Sequence, residues 1–165
     1  MDRYEQSLGL LPRLGAGRQN LLRAIDVRLD LHAPLMTLGR VQRLMEVGQE
    51  AERLARQADD AARLGRVLYQ MGYFSWLSAQ YGASLEYGEQ ALAIAETRGD
   101  TALWVRATHL LGLNRLAQAD FGVASDLLKR LVDGRKAGGA REHVNLLMTY
   151  VDGCGWLAFG FGGHG

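Results

Sequence analysis

The amino-acid sequence predicts an all-α fold: a superhelix of about seven or eight helices, stacked as antiparallel pairs. Three observations carry that expectation. The first is a period of 40 residues. Gly72 recurs as Gly112, Ala79 as Ala119, Tyr81 as Phe121, Gly82 as Gly122 and Leu92 as Val132. In the other direction, Leu44-Met45-Glu46-Val47-Gly48 maps onto Ser84-Leu85-Glu86-Tyr87-Gly88, Ala51 onto Ala91 and Asp60 onto Asp100. A fixed period of this size marks a helical repeat array. The second observation is helical spacing of apolar residues inside each copy. The third is composition: 48% of the residues are hydrophobic, and only 2 Pro interrupt the chain.

The central copy, Leu64 to Asp100, shows why the unit repeats. Leu64, Val67, Leu68, Met71 and Ser75 share one face of its first helix. Tyr81, Ser84, Leu85, Gly88, Ala91, Leu92 and Ala95 do so on the second, and the two helices meet at a tight Tyr81-Gly82 corner. Small residues (Gly72, Ala79, Ser84, Gly88, Ala91) alternate with large ones, so helix backbones can approach closely. One such pair cannot bury both of its faces and must stack on copies of itself.

Taken in order, residues 3–16 read as the second half of a repeat, closed by Pro12 and Gly15-Ala16-Gly17. Repeats follow at 19–58, 60–98 and 100–136. In the first of them a helix over 19–32 buries Leu21, Leu22, Ile25, Val27 and Leu29. Pro34 is expected to end it, since the residue before proline avoids helical angles. Thr37 is expected to cap a second helix from Leu38 to about Ala58. Asp60 and Asp100 stand at the same phase and should cap the first helices of the next two pairs. Thr101–Ala117 and Phe121–Lys136 form the third pair, followed by a loop from Gly134 to Gly139. A partial repeat spans 141–161 and a glycine-rich tail 162–165, where each helix-interior glycine costs about 1 kcal/mol against alanine.

Several function classes find no support. The 19 Lys+Arg against 18 Asp+Glu leave a net charge of +1, so neither nucleic acid nor a membrane surface is attracted by net charge. No apolar run approaches the ~20 residues needed to cross a bilayer. A single cysteine, Cys154, excludes an internal disulfide and suits a reducing cytoplasm. The opening residues lack a basic-then-apolar leader pattern. Phosphate-loop, nucleophile-elbow and zinc-protease motifs are absent. His143, Cys154 and His164 match no compact zinc spacing. No catalytic group, cofactor or metal is therefore expected, and an enzyme is the least favoured class.

The pattern Gly72, Ala79-x-Tyr81 and Ala91-Leu92 resembles a tetratricopeptide (TPR) repeat. The period is longer than the usual one of about 34, and Ser75 stands where that family carries a tyrosine. The ending Ala95-Glu96-Thr97-Arg98-Gly99-Asp100 is similar to the repeats at the C-terminal end of large bacterial signalling ATPases. Ala24-Ile25-Asp26-Val27-Arg28-Leu29, Tyr87-Gly88-Glu89-Gln90-Ala91-Leu92 and Trp156-Leu157-Ala158 share that likeness, which spans roughly residues 3–160. It implies a cytoplasmic regulatory module joined, in such proteins, to an ATP-binding domain and often a nucleotide cyclase. Similar repeats form the inducer-sensing arm of some bacterial transcription activators.

First helices of stacked pairs line the concave side of such an array. On the central pair a second stripe there consists of Arg66, Tyr69, Tyr73 and Trp76; one period on, it is Arg106, His109, Leu113 and Leu116. One period back it is Asp26, Leu29, Ala33 and Met36. Aromatic rings and arginine forks are what binding surfaces use. Packing against the next repeat is the alternative role for those aromatics. The expected function is a non-enzymatic interaction or regulatory module that takes a protein segment or small effector in this groove. The alternative is a scaffold that self-associates through exposed repeat ends as a homo-oligomer.

Overall fold

The computed structural model describes residues 17–137. They form six helices: α1 (Arg18–Thr37), α2 (Val41–Gln57), α3 (Ala61–Leu77), α4 (Tyr81–Arg98), α5 (Thr101–Ala117) and α6 (Phe121–Ala137). No strand occurs among the described residues. The fold is an all-α helical repeat. The expected partial repeats at 3–16 and 141–161, and the tail, lie outside the described residues.

The five junctions between these helices are copies of one another, and they reveal a spacing of 20 residues inside the period of 40. A left-handed residue stands at each: Gly39, Asp59, Ala79, Gly99 and Ala119, with φ of 62°, 49°, 58°, 65° and 60°. The following residue donates its N–H five residues back: Arg40 to Leu35, Asp60 to Ala55, Gln80 to Ser75, Asp100 to Ala95 and Asp120 to Arg115, at 2.8–3.1 Å. This is the Schellman closure of a helix C-terminus, which satisfies carbonyls the helix leaves open. The carbonyl of that same residue accepts the first bond of the next helix, as in Leu64 to Asp60 at 2.9 Å and Trp104 to Asp100 at 2.9 Å. One residue thus ends one helix and starts the next, and three residues suffice to reverse the chain.

The aspartates cap as expected. Asp60 accepts from the Arg63 amide at 2.9 Å and Asp100 from that of Leu103 at 2.9 Å. Asp120 reaches Val123 at 3.4 Å, a weaker bond.

Four expectations need correction. Pro34 does not end α1, which runs on to Thr37. Proline removes the N–H that Asp30 would have bonded, but Asp30 is exposed and water can serve its carbonyl, while helix beyond Pro34 buries Leu35 to 1%. Thr37 caps nothing: its hydroxyl donates back to Ala33 at 3.0 Å. Helix α2 starts at Val41 behind Arg40, which makes no side-chain cap, because Gly39 takes the left-handed turn first. The chain turns at Ala79, not at Tyr81-Gly82, both of which lie inside α4. Finally, α6 runs to Ala137, one residue beyond the expected Lys136, so the loop expected from Gly134 does not begin there.

The chain divides into two compact units, with the boundary inside α3 between Met71 and Gly72. In the first unit Ile25, Leu29, Leu35, Leu44, Val67, Leu68 and Met71 form the core, each at most 4% exposed. Gly48 leaves room for Met71, whose sulfur occupies the space a Cβ would need. In the second unit Ala91, Ala107, Leu110 and Leu128 are at most 1% exposed. Each fully buried leucine contributes about 1.5–3 kcal/mol. A Cβ on Gly72 would lie 2.9 Å from Leu110, 3.1 Å from Tyr87 and 3.3 Å from the Ser84 carbonyl oxygen. On Gly112 it would meet Leu128 at 2.9 Å. Both glycines therefore stand at close crossings, as their register predicts.

Candidate functional site

Helix α3 separates its two stripes by burial. Val67, Leu68, Met71, Gly72 and Ser75 are buried on the inner face. Arg66 is exposed, and Tyr69, Tyr73 and Trp76 are half-buried. Tyr73 and Trp76 stack, with ring centroids 6.1 Å apart and planes at 26°, within the range of favourable offset contacts. The indole Nε1 of Trp76 is buried with no hydrogen-bond partner among the described residues. On α5, Arg106 and His109 are half-buried, while Leu113, at 5% exposed, belongs to the core. Tyr69, Tyr73, Arg106 and His109 are each engaged in contacts within the protein. The stripe therefore offers an arginine and a tyrosine, Arg66 and Tyr69, on the first unit, and two rings, a cation and a histidine, Tyr73, Trp76, Arg106 and His109, on the second. No cluster able to hold a metal exists among the described residues.

Other polar side chains proved to be organised in ways the sequence pattern did not reveal. In the first unit Arg63 grips two aspartates. It binds Asp26 through both guanidinium arms, Nε and Nη2, at 2.8 Å each, and Asp60 at 2.8 Å. The hydrogen bonds Arg63 donates to Asp26 and then to Asp60 raise its proton affinity further. For Asp60, burial pushes the carboxyl up, but the Arg63 amide, its guanidinium and its charge together carry it below the ordinary range. Asp26, expected on the groove stripe, is thus bound to a neighbouring helix.

Arg28 donates to the Ala24 carbonyl at 2.9 Å and lies 3.9 Å from Glu50. Glu50 in turn accepts two bonds from Arg53, at 2.8 and 2.9 Å. Hydrogen bonding from Arg53 lowers the Glu50 carboxyl, against some opposition from burial. His32 is 9% exposed and its Nε2 lies 3.2 Å from the Gln70 carbonyl oxygen. Beside it is a cavity of about 10 Å³, lined by Arg28, His32, Gln70 and apolar residues. That volume holds one water at most, so it is no ligand pocket.

The second unit has a buried neutral network. Ser84 donates its hydroxyl to the Gly72 carbonyl at 2.7 Å. Asn114 donates to Ser84 Oγ at 2.8 Å and to the Leu110 carbonyl at 2.9 Å. Ser84 and Asn114 are 0% exposed. One signal could have exposed the first-unit features. His32 occupies the register of Gly72 and Gly112, so a large polar ring stands where the other repeats need glycine.

The chain's fold matches a solved structure. A crystal structure of a Podosopora anserina protein, described as a kinesin light chain with nearly identical TPR-like repeats, superposes on it with a TM-score of 0.71. The match covers 96% of this chain and 74% of that one, at 15% sequence identity. This shows a TPR-like repeat array; identity so low speaks to fold alone. Neither a family model nor a curated protein matches the sequence.

Proposed function

We propose that the protein is a non-enzymatic interaction module whose partner surface is the outer stripe of its first helices. The partner is a protein segment or a small effector. The observation that carries this reading is the division of labour on α3: the inner stripe packs, while Arg66, Tyr69, Tyr73 and Trp76 keep exposed surface that the core does not consume. Arg106 and His109 supply the same register on α5. Rings give large rigid contact area, and arginine pairs with carboxylates in a forked geometry. The surface thus favours an acidic partner with an apolar or planar part. By its likeness to the repeats of bacterial signalling ATPases, the module belongs in the cytoplasm and reports binding to an ATPase or cyclase. No described helix is long and apolar enough to cross a membrane.

Selection from a displayed library of random peptides, followed by calorimetry, tests this proposal. Acidic, aromatic-containing peptides should emerge. Tyr73→Ala with Arg106→Ala should abolish their binding and leave the helical circular dichroism signal unchanged. Undiminished binding by that double variant would move the site elsewhere. Light scattering over a concentration series addresses the scaffold alternative, which requires self-association.

A further inference from the structure

The first unit holds a buried titratable ring that the proposed surface does not use. Because the Gln70 carbonyl can only accept, the His32 Nε2 facing it at 3.2 Å carries the ring proton. The Gln70 side-chain amide donates back to the Leu29 carbonyl at 3.3 Å. One residue of α3 therefore holds α1 twice, through its backbone and its side chain. The neutral imidazole that meets this contact leaves Nδ1 as its bare nitrogen.

The surroundings favour that state. On α1 itself, Arg28 stands one turn before His32, with its guanidinium bonded to the Ala24 carbonyl. From α2, the nearest charges are grouped on Arg28: Glu50 opposes it, and Arg43 and Arg53 add positive potential. From α3, His32 meets neutral Gln70 along with Val67 and Met71, which line the same cavity. Among the described residues no carboxylate lines that cavity, and the only other ionisable group there is Arg28. A second proton on His32 would place one cation beside another in a desolvated site, with no acid to receive it.

We propose that the α1–α3 contact of the first unit is an acid-released clasp, opened by protonation of His32. Burial lowers the proton affinity of His32 below the ordinary imidazole value of 6.5, against a smaller opposing effect of the Gln70 hydrogen bond. The opened state binds the proton more readily, so the clasp is fully closed above about pH 6.5 and weakens as pH falls below it. The equivalent positions in the second unit are Gly72 and Gly112, which cannot titrate.

Hydrogen exchange of the full chain, read by mass spectrometry and normalised to the intrinsic rate at each pH, tests the clasp. Between about pH 7.5 and about pH 5.5, peptides from α1 should lose up to about tenfold of their protection, the limit set by one proton over one pH unit. His32→Gln keeps an amide donor for the Gln70 carbonyl but does not titrate, and should abolish the change. Constant α1 protection in the parent chain would overturn the proposal, as would an equal loss in H32Q. Should H32Q fail to fold, titration of the His32 ring by nuclear magnetic resonance decides: a transition below about pH 6.5 supports the clasp, and one at or above it overturns it.

Discussion

Besides the Gly48 crossing, the first unit ties its helices with partly buried charges and an imidazole; the second ties its own with glycine crossings and buried neutral hydrogen bonds, and its Arg130–Glu96 ion pair is exposed. Asp26–Arg63–Asp60, Arg28–Glu50 and His32–Gln70 tie the helices of the first. Gly72, Gly88 and Gly112 admit leucines, and Ser84 and Asn114 link three backbones, in the second. Yet the junctions that reverse the chain are the same in both. The difference teaches that a repeat's period is set by its turns, while the side chains between turns are at liberty to change their chemistry. It also separates how the units respond to solution conditions. Charged contacts answer to pH and salt; close crossings answer to volume.

The sharpest break in this comparison is expected at Gly72. Its Cβ would press on the Ser84 backbone oxygen as well as on side chains, whereas at Gly112 the three nearest atoms all belong to the Leu128 side chain. Gly72→Leu should cost about 3 kcal/mol or more, and Gly112→Leu about 1–3 kcal/mol. Thermal unfolding of both measures the contrast. Equal midpoints would mean that the two crossings are equally yielding.

Asn114→Ala comes next. It removes two buried donor bonds and part of the packing, at a cost of about 2 kcal/mol. Urea unfolding should show the loss, and it should be insensitive to salt. The network contains no charge, so a strong salt dependence would contradict its neutral character.

Arg63→Met should cost less, about 1 kcal/mol, because Arg63 and Asp26 are partly exposed and solvent screens them. This loss should shrink in high salt. It should also fade with acid. The carboxyl of Asp60, which Arg63 binds, sits below its ordinary value of 3.8. The stability it adds is present above that value and is lost as pH falls through the lowered one. The gap between parent chain and variant should therefore be constant well above about pH 4 and narrow as pH falls below it.

The smallest effect has the opposite sign. Ala79 and Ala119 take left-handed angles that cost an L-residue about 1–2 kcal/mol, partly offset by the greater chain freedom glycine loses on folding. Ala79→Gly should stabilise by about 0.5 kcal/mol, and Gly99→Ala should destabilise by a similar amount. Opposite signs for these two, measured by chemical denaturation, would establish the junctions as equivalent.

Much of the fold was legible because the 40-residue period and the packing glycines are properties of residue identity. Gly72, Gly112, Ser84, Ala91, Asp60 and Asp100 took the places their register assigned. The junctions were less legible. Three of the five left-handed residues are not glycine, so Asp59, Ala79 and Ala119 gave no signal, and Pro34 gave a false one. The outer stripe could be placed on a helix face from spacing alone. Its degree of burial depends on neighbouring helices, which periodicity does not encode; Leu113 is the clearest case. Asn114 was invisible for the same reason: its counterpart one period earlier is Phe74, so the pattern marks the position as apolar.

The shared junctions also bear on how such a chain can lengthen. A segment from Asp60 to Gly99 begins with the residue that starts a helix and ends with the left-handed residue that closes one. A tandem copy of that segment would place Gly99 before a second Asp60, where the present chain has Gly99 before Asp100. The seam would be chemically indistinguishable from the native join. Genetic duplication at this point creates no new loop for selection to repair, so the number of repeats can drift while the geometry of each join is inherited whole.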